Sequence, residues 1–257
     1  MNIFINYADN NFKNKQRFSS IMAKVVGGFD KVIEYSPADI DSAYYDKHAE
    51  ILKCERGGGY WLWKSYFINK TLESMNDGDY LFYCDAGAYF IRSVHHIIND
   101  MSFYSEDIAV FQLPLTESDY TNSYTRRYFG YHKSMGENQV LGGYICIKKT
   151  PYSVAVFKGY QKFCEDKMLI TDVNTLDTEQ HRHDQSILSL HTKTLNIKPF
   201  RDPSDYGEFP DKYYRNGFSF NNEHVRGNYP TIILSNRKVN PLVYLVRYIA
   251  KKILKWI

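Results

Sequence analysis

The sequence predicts an α/β fold, in which helices cover a β-sheet. Short apolar runs alternate with longer amphipathic segments from the first residues onward, and this alternation is typical of such a sheet sandwich. The segment 79–84 is an apolar run bounded by turn formers, which indicates a strand buried on both faces. The 257 residues contain no internal repeat and no low-complexity linker. We therefore predict one domain over 1–240, followed by a helix over 241–257.

The individual elements follow from local patterns. Apolar runs between turn formers predict strands within 1–8, 31–35, 79–84, 108–113 and 140–148. Amphipathic spacing predicts helices at 12–26, 60–75, 94–101, 152–166 and 183–194, with an irregular helical stretch at 37–56. The tyrosine-rich stretch 114–138 lacks periodicity and is predicted to be a loop region over a site. From about residue 196 onward we expect mostly loops until the helix at 241–257.

Composition narrows the classes of function. The chain contains 23 Tyr and 16 Phe, and tyrosine can stack on bases or sugar rings, although the base composition of a genome can produce the same excess. A net charge of +3 argues against nucleic acid as the main partner. The 4 cysteines show no paired spacing and the N-terminus shows no signal-peptide pattern, which predicts a cytoplasmic protein with reduced thiols. No stretch reaches the roughly 20 apolar residues that a membrane-spanning helix needs.

Asp85 is the first candidate site residue. It lies where the strand at 79–84 ends, and open α/β folds bind ligands at the carboxyl ends of their strands. Ala86 and Gly87 then allow a ligand to approach the backbone, so an acid here can hold a divalent cation against a diphosphate. Acids that merely cap turns and helices also occupy such positions.

Two cations flank a glycine triplet upstream of this strand. Arg56 and Lys64 enclose the glycines at 57–59 and an aromatic cluster. A flexible turn with cations can wrap a phosphate, and an indole ring can stack on a base or sugar. The alternative is that Trp61 and Trp63 belong to the core.

A third polar group precedes the helix at 183–194. The N-terminus of a helix favours anions. The imidazole of His183 can ligate a cation, and Asp184 can ligate it or accept a proton. The alternatives are an N-cap role for Asp184 and a solvated loop for His181 and His183.

Gly142 and Gly143 interrupt an otherwise apolar strand. Such glycines mark a bulge or a place where a ligand crosses the backbone, with tight packing as the alternative. By contrast, the sequence contains no G-x-S-x-G, P-loop or G-x-G-x-x-G motif and no local Cys–His signature. ATP-dependent and NAD-dependent chemistry therefore have no positive support.

Together these segments resemble bacterial polysaccharide glycosyltransferases with the GT-A fold, which are found with capsule, lipopolysaccharide and O-antigen genes. The resemblance spans about residues 1–200 and is carried by RGGGYWLWK at 56–64, DGDYLFYCDAG at 77–87 and HDQSIL at 183–188. It implies a single GT-A-like, Rossmann-like mixed sheet flanked by helices. A C-terminal amphipathic helix would follow this sheet.

The resemblance also implies a metal site. In the family an Asp-x-Asp motif at the end of a central strand holds a divalent cation on the diphosphate of a nucleotide sugar. Asp85 matches the first acid, whereas Gly87 stands in the position of the second. A Mn²⁺ or Mg²⁺ cofactor would then need His183 or Asp184 as a further ligand, or the metal is dispensable.

The donor-binding residues follow in the same way. Arg56 and Lys64 would neutralise the diphosphate, with or without a metal. Tyr7, at the end of the first strand, would face the nucleotide. Gly142 and Gly143 would lie near the sugar or the acceptor.

Asp85 and Asp184 are the predicted catalytic residues. The resemblance gives Asp184 one of two roles, either as the base that deprotonates the acceptor hydroxyl or as a ligand that holds the donor. The predicted function is transfer of a sugar from a nucleotide sugar, with UDP as its nucleotide, to a cell-surface polysaccharide or a lipid-linked oligosaccharide. One alternative is a sugar nucleotidyltransferase, although the loop after the first strand lacks the expected glycines and cations. Another is a catalytically inert glycan-binding protein of transferase descent.

The segment 241–257 is predicted to be a basic amphipathic helix. Its apolar surface is interrupted by four basic residues, Arg247, Lys251, Lys252 and Lys255, and Trp256 lies near its end. This pattern suits a helix on an anionic membrane surface, and the alternative is a helix docked on the domain core. The first interpretation predicts a peripheral protein on the inner face of the bacterial inner membrane, close to a lipid-linked acceptor.

Overall fold

The computed structural model describes residues 1–210, 226–236 and 238–254. Its strands are β1 (Asn2–Tyr7), β2 (Lys31–Tyr35), β3 (Tyr80–Cys84), β4 (Ala88–Phe90), β5 (Ile108–Ala109), β6 (Gln112–Thr116), β7 (Asn138–Val140), β8 (Tyr144–Lys148) and β9 (Ile233–Ser235). The larger α-helices are α1 (Lys13–Met22), α5 (Leu62–Ser74), α6 (His95–Phe103), α9 (Pro151–Cys164), α11 (Asp184–Thr194) and α13 (Pro241–Leu254). The short ones are α2 (Ser42–Lys47), α3 (Ala49–Leu52), α4 (Gly57–Tyr60), α7 (Glu117–Tyr120), α8 (Ser123–Tyr128), α10 (Lys167–Ile170) and α12 (Asp205–Glu208).

The central sheet is mixed and has the strand order β2-β1-β3-β8-β5. β1 is parallel to both of its neighbours, whereas β8 is antiparallel to β3 and to β5. Two further pairs, β4-β9 and β6-β7, lie outside it. The prediction of a mixed α/β sheet flanked by helices is confirmed.

Both faces of the central sheet are covered, because successive strand residues alternate between two apolar clusters. Ile5 and Leu81 pack on one side, in the cluster that includes residues of α5 and α9. Phe4 and Phe82 pack on the other side, in the cluster that includes residues of α6. Burial on both sides explains why β3 is an unbroken apolar run that ends at a carboxylate.

The predicted strand at 140–148 is divided at its glycines. β7 ends at Val140 and pairs with β6, whereas β8 begins at Tyr144 and pairs with β3. The predicted strand at 108–113 is likewise divided into β5 and β6. The chain therefore leaves the central sheet after β5 and re-enters it at residues 141–143, where it passes beside Asp85.

Two predicted loop regions contain regular structure. Residues 114–138 include α7 and α8, whose N-cap residues Thr116 and Asn122 accept hydrogen bonds from backbone N–H groups. These helices are too short to produce a periodic pattern. After residue 196, β9 pairs with β4, so this part of the chain also contributes to the fold.

Helix α13 covers most of the predicted C-terminal helix, and Lys255 and Trp256 lie outside the described residues. It packs on a small apolar cluster through Tyr244, Leu245 and Tyr248. Among the helices that the structure describes, none has the length and apolar character needed to cross a bilayer.

Candidate active site

A cavity of about 670 Å³ lies beside the carboxyl end of β3, where Asp85 forms part of its lining. The other walls come from segments far apart in the sequence, namely Arg56, Trp61, Lys64, residues 141–143 and much of the stretch 172–185. The fold thus brings three of the sequence motifs to one place.

Seven of the eight predicted site residues line this cavity: Arg56, Lys64, Asp85, Gly142, Gly143, His183 and Asp184. The eighth, Tyr7, is not among the described lining residues. Its ring stacks on Trp63, with ring centroids 3.7 Å apart and planes 19° apart. Burial raises the pKa of Tyr7 to about 12, so its hydroxyl stays protonated at neutral pH.

Asp85 is held by its neighbours in a tight turn. Its backbone N–H donates to the Gly143 carbonyl at 2.9 Å, and the Ala88 N–H donates to the Asp85 carbonyl at 3.0 Å. The Tyr83 hydroxyl donates to Asp85 Oδ1 at 2.7 Å. A Cβ on Gly143 would lie 3.4 Å from Asp85 Oδ2, which puts the glycine backbone in contact range of the carboxylate.

Lys64 and Asp184 form a buried ion pair. The Lys64 Nζ atom lies 2.5 Å from Asp184 Oδ2 and also donates to the Gly142 carbonyl at 2.8 Å. Both residues are only 3% exposed. Burial raises the pKa of Asp184, and the Lys64 charge opposes this shift. A carboxyl with a raised pKa beside a cavity is a candidate proton acceptor.

Arg56 lies at a more exposed part of the cavity, where its guanidinium pairs with Asp172 at 2.9 Å. The described lining contains five carboxyl side chains and three cationic ones, namely Asp85, Asp172, Asp177, Glu179 and Asp184 against Arg56, Lys64 and Arg182. A bare diphosphate would meet an excess of negative charge here. A divalent cation that arrived with the diphosphate would reduce this repulsion.

The turn that covers His183 has an unusual backbone. All three glycines at 57–59 have positive φ, and so do Tyr60 (52°), Trp61 (61°) and His183 (53°). Trp61 stacks on the His183 ring at 5.7 Å, and Tyr60 meets the ring edge-on at 4.8 Å. A non-glycine residue in a sparsely populated backbone region costs about 1–3 kcal/mol, and such strain concentrates at functional sites.

The two histidines of this region are buried and neutral. His183 Nδ1 donates to the Ile170 carbonyl at 2.9 Å, and His181 Nε2 donates to the Leu169 carbonyl at 2.7 Å. Burial, with a smaller effect of His181, lowers the pKa of His183 to about 4. Their other ring nitrogens, His183 Nε2 and His181 Nδ1, are buried without a hydrogen-bond partner in the described structure.

These residues do not form a complete metal cage. In the described ranges, no group of three or more His, Cys, Asp or Glu residues is arranged to hold a metal ion. Asp85 offers one carboxylate, whereas His183 Nε2 is buried and Trp61 stacks on its ring. Mg²⁺ is commonly bound by one or two carboxylates together with substrate phosphates. The site therefore fits only a cation that a diphosphate helps to hold.

Several lining residues had no individual role in the sequence prediction. Gln185 stands next to Asp184 in the HDQSIL segment, so its position could have been suspected from sequence. Arg182 lies between His181 and His183 in the third polar group, and Asp172 lies in a loop without a motif, so its position depends on long-range packing.

The fold is that of GT-A glycosyltransferases. It is shared with the crystal structure of the apo form of mouse xyloside xylosyltransferase 1, with a TM-score of 0.53 and 9% identity over 92% of this chain and 98% of that one. A structure of the galactosyltransferase LgtC in complex with donor and acceptor sugar analogues aligns over 93% of this chain and 87% of its own. Its identity is 14% and its TM-score is 0.49, too low to establish a common fold by itself. No protein-family model and no curated protein sequence matches the chain.

Proposed function

We propose that this protein is a glycosyltransferase that uses a nucleotide sugar, with a UDP-sugar as the first donor to test. One observation carries the proposal: a single cavity contains Asp85 at the carboxyl end of β3, the buried Lys64–Asp184 pair and the glycine backbone between them. An acid beside a strand end and a buried base candidate are the groups that transfer from a diphosphate leaving group requires. The shared GT-A fold supports this assignment.

The donor diphosphate would lie between Asp85 and the cations. Asp85 would hold a divalent ion together with the diphosphate, and this ion would supply charge neutralisation of the leaving group. Arg56 is the more exposed cation and could exchange Asp172 for a phosphate. Lys64 uses two of its three N–H donors on Asp184 and Gly142, so it would act mainly through its charge.

Asp184 would act on the sugar side of the diphosphate. Its raised pKa brings it closer to neutral pH, where a carboxylate can take the proton of an acceptor hydroxyl as the new glycosidic bond forms. In a retaining reaction the same carboxyl would instead hold the donor sugar. NMR analysis of the product anomer would distinguish these two roles.

The test is turnover of a panel of nucleotide sugars, with and without Mn²⁺. The purified protein should slowly release nucleoside diphosphate from at least one donor, and Asp85→Asn and Asp184→Asn should each reduce this release at least about tenfold. Asp46→Asn, at an exposed position away from the cavity, is the matched control and should leave the rate unchanged.

Other outcomes would assign the protein differently. Donor or glycan binding by calorimetry without any release would indicate a binding protein of transferase descent. Release of pyrophosphate from a nucleoside triphosphate and a sugar phosphate would indicate a nucleotidyltransferase. If no donor binds and Asp85→Asn changes nothing, the transferase proposal is wrong.

We further propose that the acceptor is a lipid-linked oligosaccharide or a growing cell-surface polysaccharide, reached from an anionic membrane surface. Helix α13 supports this with its outward apolar face. Six of its large apolar side chains are 46–72% exposed: Leu242, Val243, Val246, Ile249, Ile253 and Leu254. The segment 241–257 holds four of the 32 Lys and Arg residues and none of the 29 Asp and Glu residues, so the chain's net charge of +3 comes from this segment. An apolar face with basic charge suits the inner face of a bacterial inner membrane.

Vesicle co-sedimentation tests the membrane contact. The full chain should bind phosphatidylglycerol vesicles more strongly than phosphatidylcholine vesicles, and salt should weaken binding. Val246→Asp should reduce binding, because it places a charge in the apolar face. Val25→Asp is the matched control, because Val25 is 76% exposed but lies in a different segment. Equal binding of both variants would reject α13 as the membrane contact.

A further inference from the structure

A buried polar cluster lies behind the wall of the cavity. Glu117 is fully buried at the start of α7. Side chains from three segments donate to its carboxylate: Thr121 Oγ1 at 2.6 Å, Gln139 Nε2 at 3.3 Å, Ser189 Oγ at 2.5 Å and Lys193 Nζ at 2.6 Å. Burial lowers the pKa of Lys193, while its pairing with Glu117 favours the charged form. The Glu117 carboxylate is therefore a hydrogen-bond acceptor held in a fixed position inside the protein.

The Glu117 carboxylate sets the direction of the amide beside it. A carboxylate can only accept hydrogen bonds, so the Gln139 amide must turn Nε2 towards Glu117. Gln139 Nε2 also donates to Thr121 Oγ1 at 2.8 Å, to the Tyr120 carbonyl at 3.3 Å and to Ser186 Oγ at 3.3 Å. The Tyr120 carbonyl can only accept, so it favours the same orientation. Gln139 Oε1 is thereby left facing Gln185, whose Nε2 donates to it at 2.9 Å.

The second amide carries this direction to the cavity wall. With its Nε2 committed to Gln139, Gln185 presents Oε1 to the backbone N–H of Gly142, which donates at 3.2 Å. The carbonyl of Gly142 accepts the bond from Lys64, and Lys64 pairs with Asp184. Glu117, Gln139, Gln185 and Gly142 thus form a continuous chain of hydrogen bonds, here called the amide chain.

The amide chain ends at Gly142, where the backbone is packed closely against the site. A Cβ on Gly142 would lie 3.1 Å from Gln185 Cβ and 3.4 Å from Asp184 Oδ2, so the backbone there is already close to both residues. Reversal of the Gln185 amide would point its N–H₂ group at the Gly142 N–H, donor against donor. The peptide at Gly142 would then lose its partner and could shift against the Lys64–Asp184 pair.

We propose that Gln139 is a positioning residue of the site. It is fully buried, it does not line the cavity, and it transmits the acceptor character of Glu117 to the Gln185 amide. Its role is to hold Gln185 and the Gly142 peptide in the orientation that supports Lys64 and Asp184. The inference rests on the proposed transferase function for its activity readout, but its structural readout does not depend on that function.

Two substitutions of similar volume test this role. Gln139→Met removes both hydrogen-bonding groups, and Gln139→Glu replaces the donor with an acceptor. At neutral pH each should lower donor turnover by roughly 10- to 100-fold, the usual effect of removing a partner that orients a site from behind. Ser189→Ala is the control, since it removes the hydroxyl that donates to Glu117 and accepts from the Val140 N–H but leaves the amide chain complete.

Acidification separates positioning from simple packing. When the introduced carboxyl of Gln139→Glu binds a proton, its O–H can donate to Glu117 and its other oxygen can accept from Gln185, which restores the native direction. Its turnover, expressed as a ratio to the wild type at each pH, should rise as the pH falls. Glu117 and Lys193 face this position, and Lys64 and Asp184 lie at the far end of the amide chain. Because the wild type contains the same groups, the ratio cancels their first-order effect.

The second readout is hydrogen exchange of the Gln185 side-chain amide, followed by NMR. It should be slow in the wild type and in Ser189→Ala, and fast in Gln139→Met. Unchanged exchange, or wild-type turnover in folded Gln139→Met, would overturn the inference. So would a turnover ratio for Gln139→Glu that does not depend on pH.

If Gln139→Glu does not fold at neutral pH, the uncharged Gln139→Met carries the test. A wild type without turnover would refute the proposed function, whereas the exchange result would still decide the amide chain.

Discussion

Removal of the Lys64 ammonium by Lys64→Met is the most direct test of the buried ion pair. The substitution keeps most of the side-chain volume and leaves Asp184 buried without its cation. Two hydrogen bonds are lost, one to Asp184 and one to the Gly142 carbonyl. We expect a large loss of stability together with a loss of turnover.

The size of the loss follows from the geometry. At a separation of 2.5 Å and an effective dielectric constant of about 20, the attraction between the two charges is about 7 kcal/mol. The substitution also removes the cost of burying the ammonium, which is several kcal/mol of lost hydration, and this offsets part of the lost attraction. The net destabilisation should be about 3–5 kcal/mol, the usual range for removing one partner of a buried pair.

The loss should depend on pH in a defined direction. Burial already raises the pKa of Asp184, and without Lys64 it should rise further. A carboxyl whose pKa is higher in the folded protein contributes stability below its unfolded pKa, which is 3.8 for the reference aspartate, and loses it as the pH rises through the folded pKa. The difference between Lys64→Met and the wild type should therefore be largest near neutral pH and smaller near pH 4.

Urea unfolding followed by circular dichroism measures this difference at both pH values. The double variant Lys64→Met/Asp184→Asn is the control, because it removes both charges and should regain most of the lost stability. The reasoning would be refuted if Lys64→Met lost less than about 1 kcal/mol, or if its loss were equal at both pH values and unaffected by the second substitution.

Three further predictions concern other parts of the protein. Burial raises the pKa of Asp202 to about 6, so its stabilising contribution is present below pH 3.8 and is lost as the pH rises through 6. In urea unfolding, the free energy of unfolding of Asp202→Asn should therefore be up to about 3 kcal/mol higher than that of the wild type at pH 8, and the two should match near pH 4. Equal free energies at pH 8 would contradict this prediction. Gly59→Ala should lower the urea midpoint more than Gly78→Ala, because both have positive φ but a Cβ on Gly59 would lie 2.7 Å from the Leu52 backbone, adding about 1–3 kcal/mol. Only Cys54, of the four free cysteines, should react rapidly with a thiol reagent before unfolding, since the other three are buried; rapid reaction of a second thiol would disprove their burial.

The sheet could be predicted from sequence because burial on both faces leaves a local signature. β3 shows this best, since its apolar run and the carboxylate that follows are contiguous in the chain. The division between β7 and β8 was not predicted, because Gly142 and Gly143 fit both a bulge and a change of sheet. Their path depends on Lys64 and Gln185, which are distant in sequence.

Most residues of the candidate site could be predicted from sequence, but the contacts between them could not. Lys64 and Asp184 were each expected near a diphosphate or a sugar, and the 2.5 Å contact between them joins residues 120 positions apart. Glu117 belongs to no motif, Gln139 only begins the segment that contains Gly142 and Gly143, and sequence alone suggests no role for either side chain. Hydrogen-bond direction in a buried network is a property of the assembled structure, so only the structure could reveal it.

The pairing of β4 with β9 has a consequence for the order of folding. Ala88 pairs with Ser235, 147 positions later, and the backbone N–H of Asn236 donates to the Gly87 carbonyl. The turn that carries Asp85 is therefore braced by a segment that the ribosome makes much later. Closing so long a loop has an entropic cost, and contacts between residues distant in sequence form more slowly than local ones. We therefore expect this brace to form after the local helices and strands. A nascent chain would therefore contain the strands of the central sheet before the candidate site acquired this brace.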